Sequence, residues 1–210
     1  MPRPIHVLSL ILTLAASATA QGDTGFLRGT GRTDMALSYG LDYYDHFWVG
    51  DTKVDGDAAG VGEVERDYFN LYAAYGLDED TDLVLNAAYV QASADGPGAG
   101  TGFDDEEDLQ DLTLGAKWRA YERGAGKGRL SVFLTPATKL PMTDYEDNAV
   151  TAIGDGQVDL RFRGIVHYQI GVFWASLEGG YDRRNGAPGD EVPLDLTLGG
   201  NAGRVPIMAY

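Results

Sequence analysis

The sequence predicts an all-β protein, an antiparallel up-and-down transmembrane β-barrel of which eight strands are visible. Short stretches alternate apolar and polar residues, which is the period of a strand with a different environment on each face. The connections between them are by turns short and long, and a secretory leader precedes them. The chain also contains 29 Gly and 12 Tyr, which suits turns, strands and interfacial aromatic residues more than helices.

Residues 1–20 have the composition of a signal peptide. One Arg lies in the first six residues, Val7–Ala16 is mostly apolar, and Ala18-Thr19-Ala20 is a small-x-small cleavage site. The apolar run is too short for a membrane-spanning helix, which needs about 20 residues. We therefore expect export by the general secretory route and a mature chain that begins at Gln21.

The charge of the chain argues against some partners. Asp and Glu number 32 and Lys and Arg 16, which gives a net charge of −16. A surface this acidic repels phosphate backbones, so nucleic-acid binding is not expected. The chain has no Cys, so disulfides and a lipidated Cys are excluded. Stability must then come from backbone pairing and packing.

Eight stretches have the alternation of a strand. In the sixth, which is the sharpest, Leu160 and Phe162 share one face and Arg161 and Arg163 share the other. The eight predicted strands are Met35–Tyr44, Phe69–Tyr75, Leu83–Tyr89, Asp111–Arg119, Arg129–Pro136, Val158–Tyr168, Phe173–Tyr181 and Leu194–Leu198.

The connections predict where the chain resides. Short ones at Gly76–Thr81, Glu122–Gly128 and Gln169–Gly171 alternate with long acidic ones at Gly50–Gly62, Ser93–Asp108, Pro141–Gly156 and Asp182–Glu191. Outer-membrane barrels have short periplasmic turns and long extracellular loops. The order therefore predicts a barrel over residues 33–210 in the bacterial outer membrane. The Gly- and Thr-rich lead-in at residues 21–32 is either flexible or a plug.

Alternation alone does not say which face is inside. In a soluble exported barrel or sandwich, the apolar face would form the core and Arg161 and Arg163 would contact water. On the membrane threading, aromatic residues form two belts near the strand ends, as amphipathic rings prefer both interfaces of a bilayer. The belts, the loop asymmetry and the leader together favour the membrane alternative.

On that threading the charged faces point inward and line the interior. The lumen-lining residues are predicted to be Asp42, Asp111, Lys117, Arg119, Arg129, Asp159, Arg161, Arg163, His167, Glu178 and Asp195. Eight strands leave room only for side chains, whereas a wider barrel would turn these residues into a polar lumen.

The strand count bears on this choice. Residues 205–210 have the pattern of a ninth strand, and bacterial single-chain barrels have even strand numbers. We therefore expect a C-terminally incomplete barrel, with about 12 strands in a full chain. The alternative is a frayed tail after a closed eight-stranded barrel.

Two charged groups are candidate ligand sites. Arg161, Arg163 and His167 could attract carboxylate-bearing solutes, or they could pair with acids on neighbouring strands. The acidic run Asp104–Asp108 could hold divalent cations, or it could be a solvated loop.

Catalysis has little support in the residues. A hydrolytic site needs a base beside a nucleophile, and after the leader the chain offers only His46 and His167 as histidines. His46 follows Asp45 at the predicted outer rim, where a structural role is favoured over a catalytic one. We predict that the protein is not an enzyme and has no cofactor.

Three motifs carry a resemblance to a known family. Asp111–Arg119 resembles the D-L-x-L-G-x-K-Y/W strand of outer-membrane transporters of the phenol-degradation (MetA-pathway) type. Lys139–Asp144 resembles their K-L-P-T-G-D strand exit, from which Met142 departs, and Gly154–Asp159 resembles their G-x-G-x-x-D strand entry. The resemblance covers Leu109–Gly200.

The resemblance implies an outer-membrane channel for small hydrophobic or aromatic compounds, embedded in lipid and inserted by the barrel-assembly machinery. The alternative is a closed eight-stranded barrel with a structural or adhesion role and no transport.

Overall fold

The computed structural model describes residues 25–49, 52–96, 105–144, 153, 156–185, 189–202 and 205–209. The predicted signal peptide lies outside these residues. Within them no helix is long and apolar enough to cross a membrane. Eleven strands are present: β1 Thr33–Tyr44, β2 His46–Val49, β3 Thr52–Asp55, β4 Val64–Gly76, β5 Thr81–Ala94, β6 Glu106–Ala125, β7 Gly128–Pro141, β8 Asp159–Ile170, β9 Phe173–Arg184, β10 Leu194–Ala202 and β11 Val205–Ala209.

Nine of the strands form one antiparallel sheet in the order β1-β4-β5-β6-β7-β8-β9-β10-β11. The hairpin β2–β3 lies between β1 and β4 in the chain and pairs only with itself. In the described part of the chain β1 and β11 do not pair with each other, so the sheet is open. The predicted all-β, up-and-down antiparallel fold is confirmed.

The closed eight-stranded alternative is not formed. The eighth predicted strand, β10, pairs with β11 on the side away from β9 and not with β1. The chain therefore continues the sheet past the eighth strand, as the pattern at residues 205–210 predicted.

Short and long connections alternate as predicted. The turns after β4, β6, β8 and β10 are short, and the connections after β1, β5, β7 and β9 are long. In the short turns Gly126 and Gly171 have φ of 62° and 58°, a left-handed conformation that side chains other than Gly rarely adopt. We refer below to the short-turn end and the long-loop end of the sheet.

Several strand boundaries differ from the prediction. Residues 122–125 were assigned to a short connection but end β6, and Ser93 and Asp182 were assigned to long connections but lie in β5 and β9. Two further strand segments lie inside the predicted long connections. Glu106, Glu107 and Asp108 were assigned to a loop but begin β6, where they pair with Ala92, Gln91 and Val90. The predicted loop after Gly50 contains β3, which pairs with β2. Both errors have one cause, because charged or very short strands lack the apolar period on which the prediction depends.

The two faces of the sheet have opposite character. The outer face carries exposed apolar side chains, such as Phe162 at 61% and Leu37 at 58% exposure. The inner face carries buried charges, such as Lys117 at 1% and Asp82 at 0%. This arrangement is the reverse of the one that the soluble alternative requires.

Two buried apolar clusters lie on the inner face towards the long-loop end. Val61, Val64 and Ala94 form one buried cluster against Tyr44, and Val90, Ala92 and Ile153 form another against Tyr68. This packing explains why Val90 lies on the same side of β5 as the polar residues Asp82 and Asn86.

Candidate functional site

A cavity of about 100 Å³ lies near the middle of the inner face. Its lining comes from six consecutive strands, from Tyr72 on β4 to Glu178 on β9, so the sheet curls around it. Its charged lining residues are Lys117, Arg161, Arg163 and Glu178. Polar residues such as Asn86 and Thr135 also line it, and Val84 and Ala137 are apolar.

Lys139 lies between two carboxylates beside this cavity. Its Nζ is 2.9 Å from Asp159 Oδ2 on β8 and 3.2 Å from Asp111 Oδ2 on β6. The three side chains are at most 9% exposed. The two carboxylates and the ammonium group stabilise one another in this enclosed position. Removing Lys139 would leave two buried negative charges without a compensating cation.

Arg163 forms the second network. Its Nε donates to Asp182 Oδ1 at 2.9 Å, its Nη2 also contacts Asp182, and its Nη1 lies 3.2 Å from Glu178 Oε1. Arg161 Nε lies 3.7 Å from Asp182 Oδ2. The two arginines of the predicted ladder therefore pair with acids on β9, the arrangement that the sequence offered as the alternative to solute binding.

A third network lies at the short-turn end. Arg119 contacts Asp80 at 2.6 Å and Glu122 at 2.9 Å, and Arg129 Nη1 lies 3.7 Å from Glu122 Oε2. These side chains are more exposed than those around Lys139. Solvent screening makes such pairs weaker than enclosed ones.

The lead-in folds back onto the inner face at the short-turn end. The Arg28 N–H group lies 3.1 Å from both carboxylate oxygens of the buried Asp82. The Arg28 side chain pairs with Asp34, with Nε 2.6 Å from Oδ2. Gly31 N–H donates to Gly76 O at 2.7 Å, and Gly76 N–H donates to Arg32 O at 2.8 Å. Residues 25–32 are thus fastened to β1, β4 and β5.

Phe26 seats the lead-in against two aromatic residues. Its ring centroid lies 4.7 Å from that of His167 and 5.5 Å from that of Trp174, with interplanar angles of 70° and 84°. Such edge-to-face contacts are favourable for aromatic rings. His167 Nδ1 lies 2.8 Å from Ser176 Oγ, and Gly25 N–H donates to the same hydroxyl at 3.4 Å.

All the predicted lumen-lining residues lie on the inner face. Lys117, Asp159, His167 and Glu178 are buried. The Asp111 side chain is enclosed against Lys139. The others range from half-buried to exposed: Asp42, Arg119, Arg161, Arg163, Arg129 and Asp195. That they line an open lumen stays a prediction.

Sequence reasoning missed the partners that organise this face: Arg28, Asp34, Asp82, Lys139, Trp174 and Asp182. Asp82 and Asp182 lie just beyond the ends assigned to their strands, and one further step of alternation would have placed both on the inner face.

The predicted metal and rim sites are only partly covered. Among the described residues no group of three or more His, Cys, Asp or Glu is placed to hold a metal ion, and Asp104 lies outside them. His46 lies 2.6 Å from Asp45 and 3.7 Å from Asp55 across the β2–β3 hairpin. The His46 hydrogen bond lowers the pKa of Asp45. Divalent cations at the acidic loops and the lack of enzymatic activity stay predictions.

These features define a class of protein: an open antiparallel sheet that curls around paired charges and exposes its apolar side. The family model described as "Putative MetA-pathway of phenol degradation" matches residues 16–206. The chain belongs to this family, which confirms the resemblance of the three motifs. No curated protein and no solved structure matches the chain significantly.

Proposed function

We propose that the chain forms the wall of an outer-membrane β-barrel channel that passes small hydrophobic or aromatic compounds. The observation that carries this proposal is the apolar outer face. Large exposed apolar patches on a folded protein mark contact with another apolar phase or partner. Here the exposed apolar residues occur on every long strand of the nine-stranded sheet from β1 to β10.

The height of the apolar band fits a bilayer. From Leu160 to Ile170 the outward-facing residues of β8 carry no charge. Ten residue steps of about 3.3 Å, tilted by about 45°, rise roughly 23 Å, close to the band of about 25 Å in outer-membrane barrels.

The ends of the band also fit an interface. On the outer face near the long loops, the Tyr39 hydroxyl hydrogen-bonds Asp67, and the Tyr43 hydroxyl lies 3.2 Å from Glu65 Oε1. A tyrosine ring with a polar partner at its tip is suited to the boundary between hydrocarbon and water.

The inner face suits neutral solutes because its charges are paired. Lys139 and Arg163 are each shared between two carboxylates. A solute need not supply a charge to compensate them. Val84 and Ala137 add apolar wall at the central cavity. The family description names phenol degradation, which supports phenols as candidate solutes.

The test is permeation through the full chain reconstituted in liposomes. We expect faster entry of phenol and toluene than of lysine, relative to protein-free liposomes. Ala137→Trp places an indole in the central cavity and should slow phenol entry severalfold. Leu134→Trp, on the outer face of the same strand, should not. A protein that stays folded and dispersed without any amphiphile, or equal rates with and without protein, would contradict the proposal.

A further inference from the structure

Phe26 is the one aromatic residue that the lead-in, residues 25–32, places on the inner face. It enters from a segment that precedes β1, and its ring lies edge-on to His167 and Trp174. Phe26 and His167 also line a cavity at the short-turn end together with Arg129, Phe133 and Gln169. The ring therefore sits where the interior opens at that end.

Two buried polar atoms on the rings that Phe26 contacts have no hydrogen-bond partner among the described residues. Nothing in the described part of the chain hydrogen-bonds His167 Nε2 or Trp174 Nε1. Both side chains are deeply buried, at 3% and 4% exposure. Buried polar groups are nearly always hydrogen-bonded, and leaving them unpaired is costly. A phenylalanine ring can pack against both residues and satisfy neither.

We propose that His167 and Trp174 form a binding site for a single aromatic ring that bears a hydroxyl group, and that Phe26 occupies this site as an internal substitute. The proposal rests on the channel function and names a ligand class and a position within it. A ring in the place of Phe26 keeps the edge-to-face contacts, and its hydroxyl supplies the missing hydrogen bonds.

A hydroxyl group can hydrogen-bond the site in either tautomer of His167. Trp174 Nε1–H is a donor only, so it needs an acceptor. His167 Nδ1 shares a hydrogen bond with Ser176 Oγ, and the tautomer decides whether Nε2 donates or accepts. A hydroxyl can accept from Trp174 and either donate to His167 or accept from it. A bare ring can do neither.

The backbone around Phe26 fits a segment that docks closely. A Cβ atom on Gly25 would lie 2.1 Å from His167 Cβ, so only glycine allows the approach. Because the solute and Phe26 need the same space, solute binding requires that residues 25–28 move away. The apparent affinity is then the intrinsic affinity multiplied by the fraction of time that Phe26 is away from the site.

The experiment measures binding of 4-fluorophenol and of fluorobenzene, which lacks the hydroxyl, to the full folded chain in detergent micelles by fluorine NMR. Phe26→Ala should bind 4-fluorophenol on the order of tenfold more tightly than the unmodified chain. Phe173→Ala, an outward-facing residue that is 67% exposed, is the matched control and should change nothing. Heat-modifiable gel mobility checks the fold of each variant.

Trp174→Phe keeps a ring but removes the N–H donor, so it should reduce the preference for 4-fluorophenol over fluorobenzene, with the His167 hydrogen bond retained. The site would be overturned if Phe26→Ala and Phe173→Ala bound 4-fluorophenol with equal affinity. It would also be overturned if Phe26→Ala gained as much affinity for fluorobenzene as for 4-fluorophenol. Liposome permeation on the same samples separates the two proposals. If the protein transports phenol but its affinity for 4-fluorophenol does not depend on Phe26, the binding site is overturned and the channel stands. If the affinity depends on Phe26 but no transport is measured, the channel is overturned and the binding site stands.

Discussion

The inner and outer faces of the sheet are built from the same strands, yet they carry opposite kinds of side chain. On β8, His167 is 3% exposed, whereas the neighbouring Val166 is 46% exposed. Burial in this protein follows the curl of the sheet and not the hydrophobicity of the residue. A face that encloses charge must pair it internally, and a face that exposes apolar surface must find an apolar neighbour.

The largest effect should come from the inner face. Lys139→Met leaves the carboxylates of Asp111 and Asp159 without their shared cation, and breaking a buried pair in this way costs about 3–5 kcal/mol. The free energy of unfolding, measured by urea titration in lipid vesicles, should fall by that amount. Lys127→Met, at an exposed turn, is the control and should stay within about 0.5 kcal/mol. Equal losses would mean that the enclosed charges are not interdependent.

The next effect tests the outer face. Leu114→Arg puts a cation in the middle of the apolar band, which costs about 2–4 kcal/mol at the midplane of a bilayer. Leu77→Arg lies in the turn after β4 and should cost little. Both leucines are exposed, at 39% and 52%, so exposure alone does not distinguish them. If the same titration gives equal values for both variants, Leu114 contacts water and the assignment of the outer face fails.

A third prediction concerns the lead-in on the inner face. A Cβ atom on Gly76 would lie 1.9 Å from Gly29 O, so Gly76→Ala should release residues 25–32. Trypsin should then cut after Arg28, which is 8% exposed, about tenfold faster, because cleavage follows the population of the open form. Mass spectrometry of the fragments measures the rate. Gly124→Ala, where a Cβ would meet no atom within 4 Å, should leave the rate unchanged.

The smallest effect is expected at the rim of the outer face. The Tyr181 hydroxyl and then the Arg184 N–H group hydrogen-bond Asp190 and lower the pKa of its carboxyl group. A lowered pKa stabilises the fold above the ordinary pKa of Asp, and this contribution is lost as pH falls through the folded value. Tyr181→Phe should raise the pKa of Asp190 towards its ordinary value in a carboxyl NMR titration. Tyr168→Phe, whose hydroxyl contacts Ala125 O, should leave that midpoint in place.

The face on which a residue lies could be predicted from the sequence because it depends only on the period of two. Arg161, Arg163 and His167 were assigned to one side of β8 and lie there. The identity of their partners could not be predicted, because it depends on the register between strands. Irregularities near Ala88 and at Ala120 shift that register, and such bulges leave little trace in an alternating pattern.

The lead-in shows a second limit. The sequence left open whether residues 21–32 are flexible or a plug, since Gly- and Thr-rich segments have no period. The docking of residues 25–32 depends on Asp82, His167 and Trp174, which lie on β5, β8 and β9, far along the chain from the lead-in. Contacts of this kind become visible only when the sheet has brought those strands together.

The order of the sheet also bears on how the protein is made. From β4 to β11 every strand pairs with its immediate neighbour in the chain, and only the β1–β4 pair spans an inserted hairpin. Such local connectivity keeps the entropy of loop closure small at each step. A chain emerging from the amino end can therefore build its wall by docking one hairpin after another, and among the described segments it is the lead-in that has to wait for distant partners on β8 and β9.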